Sequence, residues 1–256
     1  MAATAQPETV ALFVSDLHLN ERMPRTAAAF FHFLETAATR TQSLYLLGDI
    51  FEYWAGDDDL QTPFNRQVCD ALRAVSDCGV KLYWIAGNRD FLVGSAFAAE
   101  AGLSLLQEPH VVEIAGQTML LVHGDAQCTD DTAYLAFRTQ VRDPEWQQSF
   151  LAKPLAERKA IIEGMREGSR AAQKEKSMEI MDVNLAEIER LFCTYGLTRI
   201  IHGHTHRPGV HQSAGGVRYV LPDWDCEGDV ARGGWFAVDG KGQIRSITLQ
   251  GKAAAA

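Results

Sequence analysis

No CxxC pair occurs among the five cysteines (Cys69, Cys78, Cys128, Cys193 and Cys226), and the chain has no long apolar run, no excess of positive charge and no internal repeat. Each absence removes a class. Odd in number and widely scattered, the cysteines make neither a disulfide framework nor a zinc ribbon, and they read as reduced thiols of a cytoplasmic protein. No segment approaches the roughly 20 apolar residues of a membrane helix. The opening MAATAQPETV lacks a basic segment followed by an apolar core, so it is not expected to be a signal peptide. A formal net charge of −9 speaks against a general nucleic-acid binder. What remains is an ordinary globular composition, 46% hydrophobic and 22% charged, in 256 residues. That length suits one domain carrying an insertion, expected over 9–252 with frayed tails at 1–8 and 253–256.

Apolar runs alternate with helical spacing. VALFV, SLYLL, VKLYWI and RIIH read as buried strands, each ending in a polar turn. RTAAAFFHFLETAATR and FNRQVCDALRAVSDC read as helices, the second with Val68, Leu72 and Val75 on one face, and GSAFAAEAG reads as a short helix. HVVEIAGQTMLLV is a hairpin turning at Ala115-Gly116, while GVRYVLPDW, GGWFAVDG and QIRSITLQ are closing strands. The stretch 129–194 is expected to be helical throughout. The fold class is α/β: a β-sandwich flanked by helices, with a helical cap inserted at about 129–180.

The strand exits carry the chemistry. They read Ser15-Asp16-Leu17-His18, Gly48-Asp49, Gly87-Asn88-Arg89-Asp90, His123-Gly124-Asp125 and His202-Gly203-His204-Thr205-His206. Alone, a Gly-Asp or Gly-Asn pair is a turn, and a single histidine is more often structural. Open α/β sheets bind ligands beyond the carboxyl ends of their strands, so five such exits converge on one site. On an extended chain the alternating histidines of HGHTH would point to one side. Mixed imidazole, carboxylate and amide donors suit Mn, Fe or Zn better than Ca.

In this order, DLH, GD, GNRD, HGD and GHTH resemble the five blocks of the calcineurin-like metallophosphoesterases, spanning Asp16 to His206. The resemblance implies a dinuclear centre of two divalent ions, Mn2+ by analogy. Asp16, His18 and His206 would hold the first and Asn88, His123 and His204 the second, with Asp49 shared between them. His202 would hold no metal and have a structural role. Most of that superfamily carries histidine where Arg89 stands. Arginine is a poor general acid but a planar donor to phosphate oxygens. Arg89 therefore reads as a phosphate clamp for a leaving group that needs little protonation, such as one side of a phosphate anhydride; the plain alternative is a surface arginine paired with Asp90.

GDIFEYWAGDD, GNRDF, HGDAQCTDDTAYLAFR and SRAAQKEKSMEIMDVN are similar to the UDP-2,3-diacylglucosamine pyrophosphohydrolases of the lipid A pathway. That resemblance implies hydrolysis of UDP-2,3-diacylglucosamine at the cytoplasmic face of a bacterial inner membrane by a peripheral monomer that binds no nucleic acid. Asp49 and Arg89 would be catalytic. Asn88, Arg89, Asp131, Tyr134, Arg166, Ser169, Gln173, Lys176 and His204 would contact substrate, with exposed helix surface the alternative for Ser169 and Lys176. Trp54 would flank the acyl or sugar site or pack in the core.

Between Arg138 and Lys176 there are nine Lys or Arg against six Asp or Glu, +3 in a chain of −9. A local basic excess favours an anionic membrane or a phosphorylated substrate, although ion-paired helix faces would read the same way. Tyr134, Leu135, Phe137, Trp146, Phe150, Leu151, Ile161, Ile162 and Met165 are more large apolar side chains than a small cap needs for itself. Some are expected to line an acyl-chain groove.

Overall fold

The structure, a computed structural model, describes residues 8–175 and 182–253, and the side chains of all of these except 168–175. The elements in order are β1 (Thr9–Val14), α1 (Pro24–Thr36), β2 (Ser43–Leu46), α2 (Pro63–Asp77), β3 (Lys81–Ile85), α3 (Ser95–Ala101), β4 (Leu103–Leu106), β5 (His110–Ile114), β6 (Gln117–Leu121), α4 (Thr132–Val141), α5 (Pro144–Leu151), α6 (Leu155–Glu175), α7 (Leu185–Tyr195), β7 (Arg199–His202), β8 (Gly209–Ser213), β9 (Gly216–Val220), β10 (Gly234–Asp239) and β11 (Ile244–Thr248). They build two sheets, one ordered β11-β10-β1-β2-β3-β4 and the other β5-β6-β7-β9-β8.

The central strands β1, β2 and β3 run parallel, Leu12 opposite Leu44 and Leu44 opposite Leu82. Ala11 to Val14 are buried without alternation, as a strand covered on both faces should be. One face meets the helices: Leu12, Val14, Leu44 and Leu46 pack with Phe30 and Phe33 of α1, Val68, Leu72 and Val75 of α2, and Phe97 of α3. The other face meets the second sheet, where Phe13, Tyr45, Leu47 and Ile85, with Phe236 of β10 beside them, pack with Met119, Leu121 and Ile201. Ile188, Leu191 and Phe192 of α7 cover the far side of that sheet. The expected sandwich flanked by helices is the observed one.

Some details differ from the sequence reading. The helical stretch is broken: the Asp143 carboxylate accepts the Trp146 N–H at 2.9 Å, starting α5 with Pro144 in its first turn, and Pro154 precedes α6. Two short strands escaped notice. β4 is an edge strand whose residues are all at least partly exposed, and β8 is a polar edge strand, GVHQS. The hairpin turns at Ala115 and Gly116, at φ 49° and 72°, the left-handed pair that a two-residue hairpin requires. The expected tails fall mainly outside the described residues, but their inner ends are paired: the Glu8 carbonyl accepts the Gly240 N–H at 3.0 Å, and Ala253 bridges to Ile247.

Candidate metal centre and the cavity beside it

Beyond the strand ends the loops continue the ladder across the top of both sheets. Asp16 N–H donates to Gly48 O at 3.1 Å, His18 N–H to Asp49 O at 2.9 Å and Gly203 N–H to His123 O at 2.8 Å. Among the described residues, six non-glycines adopt positive φ, and five of them are Asp16, His18, Asp49, His204 and His206. Such backbone costs of order 1–3 kcal/mol per residue and persists where surrounding contacts enforce it. Close approach explains two of the flanking glycines. A Cβ on Gly203 would overlap the Asp16 carboxylate, and one on Gly87 would overlap Asp49 Oδ1.

Two groups of ligand atoms result, Asp16 with His18 and His206, and Asp49 with His123 and His204, the atoms of each within 4.8 Å of one another. His18 Nε2 lies 3.3 Å from His206 Nε2, which is 3.5 Å from Asp16 Oδ1. The other Asp16 oxygen accepts from Ser15 Oγ at 2.5 Å and the His204 N–H at 2.8 Å, while buried Oδ1 has no hydrogen-bond partner among the described residues. In the second group, His123 Nδ1–H donates to the Leu47 carbonyl at 2.8 Å, which turns Nε2 toward Asp49 Oδ1 at 3.6 Å. Asn88 joins this group: its Oδ1 is 3.0 Å from His123 Nε2 and 2.8 Å from His204 Nδ1.

The charges follow from burial and crowding. Burial opposes protonation of His123, but Asp49, Asp125 and Asp16 outweigh it and push its pKa up to about 9. Burial, with the charge of His123 next, pulls His204 down to about 4. Asp16 is held below the usual carboxylate range, its burial outweighed by the His206 contact and by the imidazoles around it.

HGHTH is not extended here. Left-handed backbone at His204 and His206 sends the two side chains to different groups, and His202 belongs to neither. His202 Nδ1–H donates to Gly203 O at 2.8 Å, Nε2 faces buried Arg218 at 3.4 Å, and burial lowers the pKa to about 3, so the ring is neutral and structural.

Asp90 does not pair with Arg89. Its carboxylate accepts the N–H groups of Ile50 and Gly87, each at 2.8 Å, and so fixes two metal-group loops against each other. Arg142 clamps the same turn through the Ala86 and Gly87 carbonyls at 3.1 and 2.9 Å. Arg89 instead lines a cavity of about 940 Å³, and its buried Nε has no hydrogen-bond partner among the described residues.

One end of that cavity is formed by His18, Asp49, Asn88, His204 and His206, together with Asp131 and Asp223. Much of the remaining lining is apolar, Trp54, Phe91 and Leu92 from the core side and Phe137, Trp146, Phe150, Ile162 and Met165 from α4, α5 and α6, with Glu52, Arg89, Arg166 and Arg232 among the charged residues. Trp54 is both core and wall, packed on Phe51 and Phe97 with 1% of its surface exposed. Of the apolar residues expected to form a groove, Leu135, Leu151 and Ile161 do not line it; Ile161 packs on the main core and Leu151 is exposed.

Asp131 caps α4, accepting the Tyr134 N–H at 3.0 Å. Tyr134 donates its hydroxyl to Asp125 at 2.6 Å and lays its ring over His204, 6.2 Å between centroids. Arg166 reaches the cavity from α6 and is ion-paired with Glu52. Ser169 and Gln173 lie on α6 with side chains outside the description, and Lys176 lies outside the described residues. Sequence reasoning missed Glu52, Arg138 and Asp223. Glu52 sits 3.2 Å from His18 Nδ1, and Asp223 is 3.7 Å from His206 Nδ1. Arg138 ties Asp125 to Glu108, which accepts the His123 N–H at 2.8 Å. Contact with His18 and the charges of Arg89 and Arg166 outweigh burial and hold Glu52 down at about 2.

The model of the calcineurin-like phosphoesterases matches residues 10–208, a span that holds both ligand groups. The chain belongs to that family. A UDP-2,3-diacylglucosamine hydrolase of Aromatoleum aromaticum is 50% identical over 218 residues, covering 84% of this chain and 89% of that protein. One of Xanthomonas oryzae is 48% identical over 232 residues, covering 86% and 94%. Among solved structures, an archaeal phosphodiesterase superposes with a TM-score of 0.46 at 11% identity, over 93% of this chain and 98% of its own.

For a calcineurin-like phosphoesterase, the donor set fits divalent metal. The orphaned Asp16 oxygen and the convergence of imidazole nitrogens with carboxylate and amide oxygens are an arrangement a cation would satisfy. No helix among the described residues is long and apolar enough to cross a membrane.

Proposed function

We propose that this phosphoesterase hydrolyses the pyrophosphate bond of UDP-2,3-diacylglucosamine, giving UMP and 2,3-diacylglucosamine 1-phosphate, a step of lipid A biosynthesis. The observation that carries the reading is one cavity with two ends, metal-ligating groups and Arg89 at one, and a wall of aromatic and aliphatic side chains from the cap at the other. The relatives at 48–50% identity bear the name of this activity.

Asp16, His18 and His206 would hold one divalent ion and Asn88, His123 and His204 a second, with Asp49 between them. Two such ions, manganese in this reading, supply Lewis-acid polarisation of phosphoryl oxygens and hydroxide near neutral pH. Water adds at the α-phosphorus and the bond to the bridging oxygen breaks, leaving that oxygen on the sugar phosphate. The departing group is already a phosphate, so no acid is required. Arg89, which lines the cavity, neutralises charge on the non-bridging oxygens.

Asp131, Arg166, Ser169, Gln173 and Lys176 would meet the glucosamine and phosphate portion. Tyr134 would offer its ring face, since its hydroxyl proton is committed to Asp125. The acyl chains would lie along Phe91, Trp146, Phe150, Ile162 and Met165. The basic excess between Arg138 and Lys176 would bring a monomer to the cytoplasmic face of an anionic inner membrane.

The test is product identification with Mn2+ and UDP-2,3-diacylglucosamine in detergent, beside UDP-glucose and bis(p-nitrophenyl) phosphate. UMP and the diacyl sugar phosphate, formed much faster than soluble products, are expected. Equal rates on the soluble compounds would make this a general phosphodiesterase, and metal uptake without turnover would make it a scaffold.

A further inference from the structure

The carboxylate of Glu52 stands between a metal-group histidine and the cap. Its Oε2 lies 3.2 Å from His18 Nδ1, the ring nitrogen on the opposite side from His206. The approach is an ion-pair contact and not an aligned hydrogen bond. Its Oε1 accepts from Arg166 Nη2. Arg166 is itself braced by Glu163 at 2.9 Å and lies over the Tyr53 ring, 5.5 Å from its centroid. The side chains of His18 and Glu52 are each 16% exposed and that of Arg166 14%, so solvent screens these contacts poorly.

The backbone fixes Glu52 in place. Its N–H donates to Leu19 O at 3.1 Å, next to His18, and the preceding Ile50 and Phe51 N–H groups are held by Asp90. On the cap side, Arg158 and Arg166 are eight residues apart, about two turns along one face of α6. Arg158 takes Asp58 and Lys159 takes Asp59 of the same loop. Helix α6 is therefore fastened to loop 52–59 at two places, and only the Glu52 fastening touches a metal-group residue.

We propose that Glu52 is a positioning residue that joins the metal centre to the cap, one carboxylate oxygen setting the His18 ring and the other seating Arg166. This rests on the metal-hydrolase reading above. Metal affinity and cap placement then share one side chain. Loss of Glu52 moves both, whereas loss of Arg166 moves the cap alone. A carboxylate that merely added stability would move neither separately from overall folding.

The experiment uses the full chain. Mn2+ binding is titrated by calorimetry, and amide exchange is followed over residues 155–167 of α6. In Glu52→Ala one Mn2+ site is expected to weaken about 10–100-fold, as for loss of a group that orients a metal-bound histidine. The other site is unchanged, and exchange in α6 accelerates. In Arg166→Met exchange accelerates while both Mn2+ affinities stay at wild-type values. Glu52→Gln preserves volume in case the alanine variant does not fold; its single oxygen can restore one contact but not both, so at least one deficit persists. Wild-type Mn2+ affinities in a folded Glu52→Ala, a folded Glu52→Gln with both Mn2+ affinities and α6 exchange at wild-type values, or unchanged α6 exchange in both variants, would overturn the proposal alone. A wild-type chain that bound no divalent ion would overturn the metal reading and this inference with it.

Discussion

Asp49 Oδ1 accepts the backbone N–H of Arg89 at 2.8 Å. The carboxylate assigned to both cations and the guanidinium assigned to the phosphate are thus set on one hydrogen bond, and that bond uses only the main chain of Arg89. Removing the side chain leaves it intact. Arg89→Ala is expected to keep its full metal content by elemental analysis while kcat falls about 10²–10³-fold, the loss typical of one donor to a developing oxyanion. Arg89→Lys keeps the charge but not the planar fork and should recover only part. Full activity in Arg89→Ala would make the arginine a bystander.

Asp49→Ala removes a carboxylate of the second ligand group, the one proposed above to lie between both cations, along with the acceptor for the Arg89 N–H. Turnover should vanish and Mn2+ stoichiometry should fall. His206, half-exposed at the cavity mouth, is a milder loss. His206→Ala should lower affinity for one ion, with activity partly restored at high Mn2+. Turnover by metal-loaded Asp49→Ala at the wild-type rate would remove Asp49 from the mechanism.

The five exits were legible because each follows a buried strand, and a local motif suffices to see them. The side chains that orient those residues were not. Glu52 reaches His18 from another loop, and Arg138 bridges Asp125 and Glu108 across 30 residues. Such pairs exist only once the chain is folded, and no period in the sequence encodes them. His202 shows the converse: its spacing from His204 suggested a shared side, but left-handed backbone, which composition does not announce, separates them. Strands β4 and β8 were missed because edge strands need no buried run.

Stability of the metal-free chain should depend on pH through His123. Its folded pKa of about 9 lies above the usual histidine value of about 6.5. The contribution is therefore complete below about pH 6.5 and is lost as pH rises through 9. Asp90, raised to about 6 by burial and then by Asp49, acts in the same direction at lower pH, binding a proton more readily folded than unfolded. Melting temperature in chelator should fall between pH 6 and 9. His123→Gln should flatten the upper part of the curve. Added Mn2+ should stabilise more at pH 8 than at pH 6, because a cation requires His123 neutral. A metal-free melting temperature that climbed from pH 6.5 to 9 would contradict the charge state assigned to His123.

The apolar end of the cavity can be tested apart from the chemistry. Ile162 lines it from α6 and touches no residue of either ligand group in the contacts described, so Ile162→Trp should fill space without disturbing metal. Each acyl methylene kept out of the cavity costs about 0.8 kcal/mol. Excluding two should raise KM for UDP-2,3-diacylglucosamine roughly tenfold. Hydrolysis of bis(p-nitrophenyl) phosphate, which reaches only the polar end, should be unchanged. The comparison of the two substrates matters more than either alone, because a distorted cap would slow both. If Ile162→Trp left the lipid KM at its wild-type value, the acyl chains would have to lie outside this cavity. The aromatic wall of Phe91, Trp146 and Phe150 would then be only the packing between cap and core.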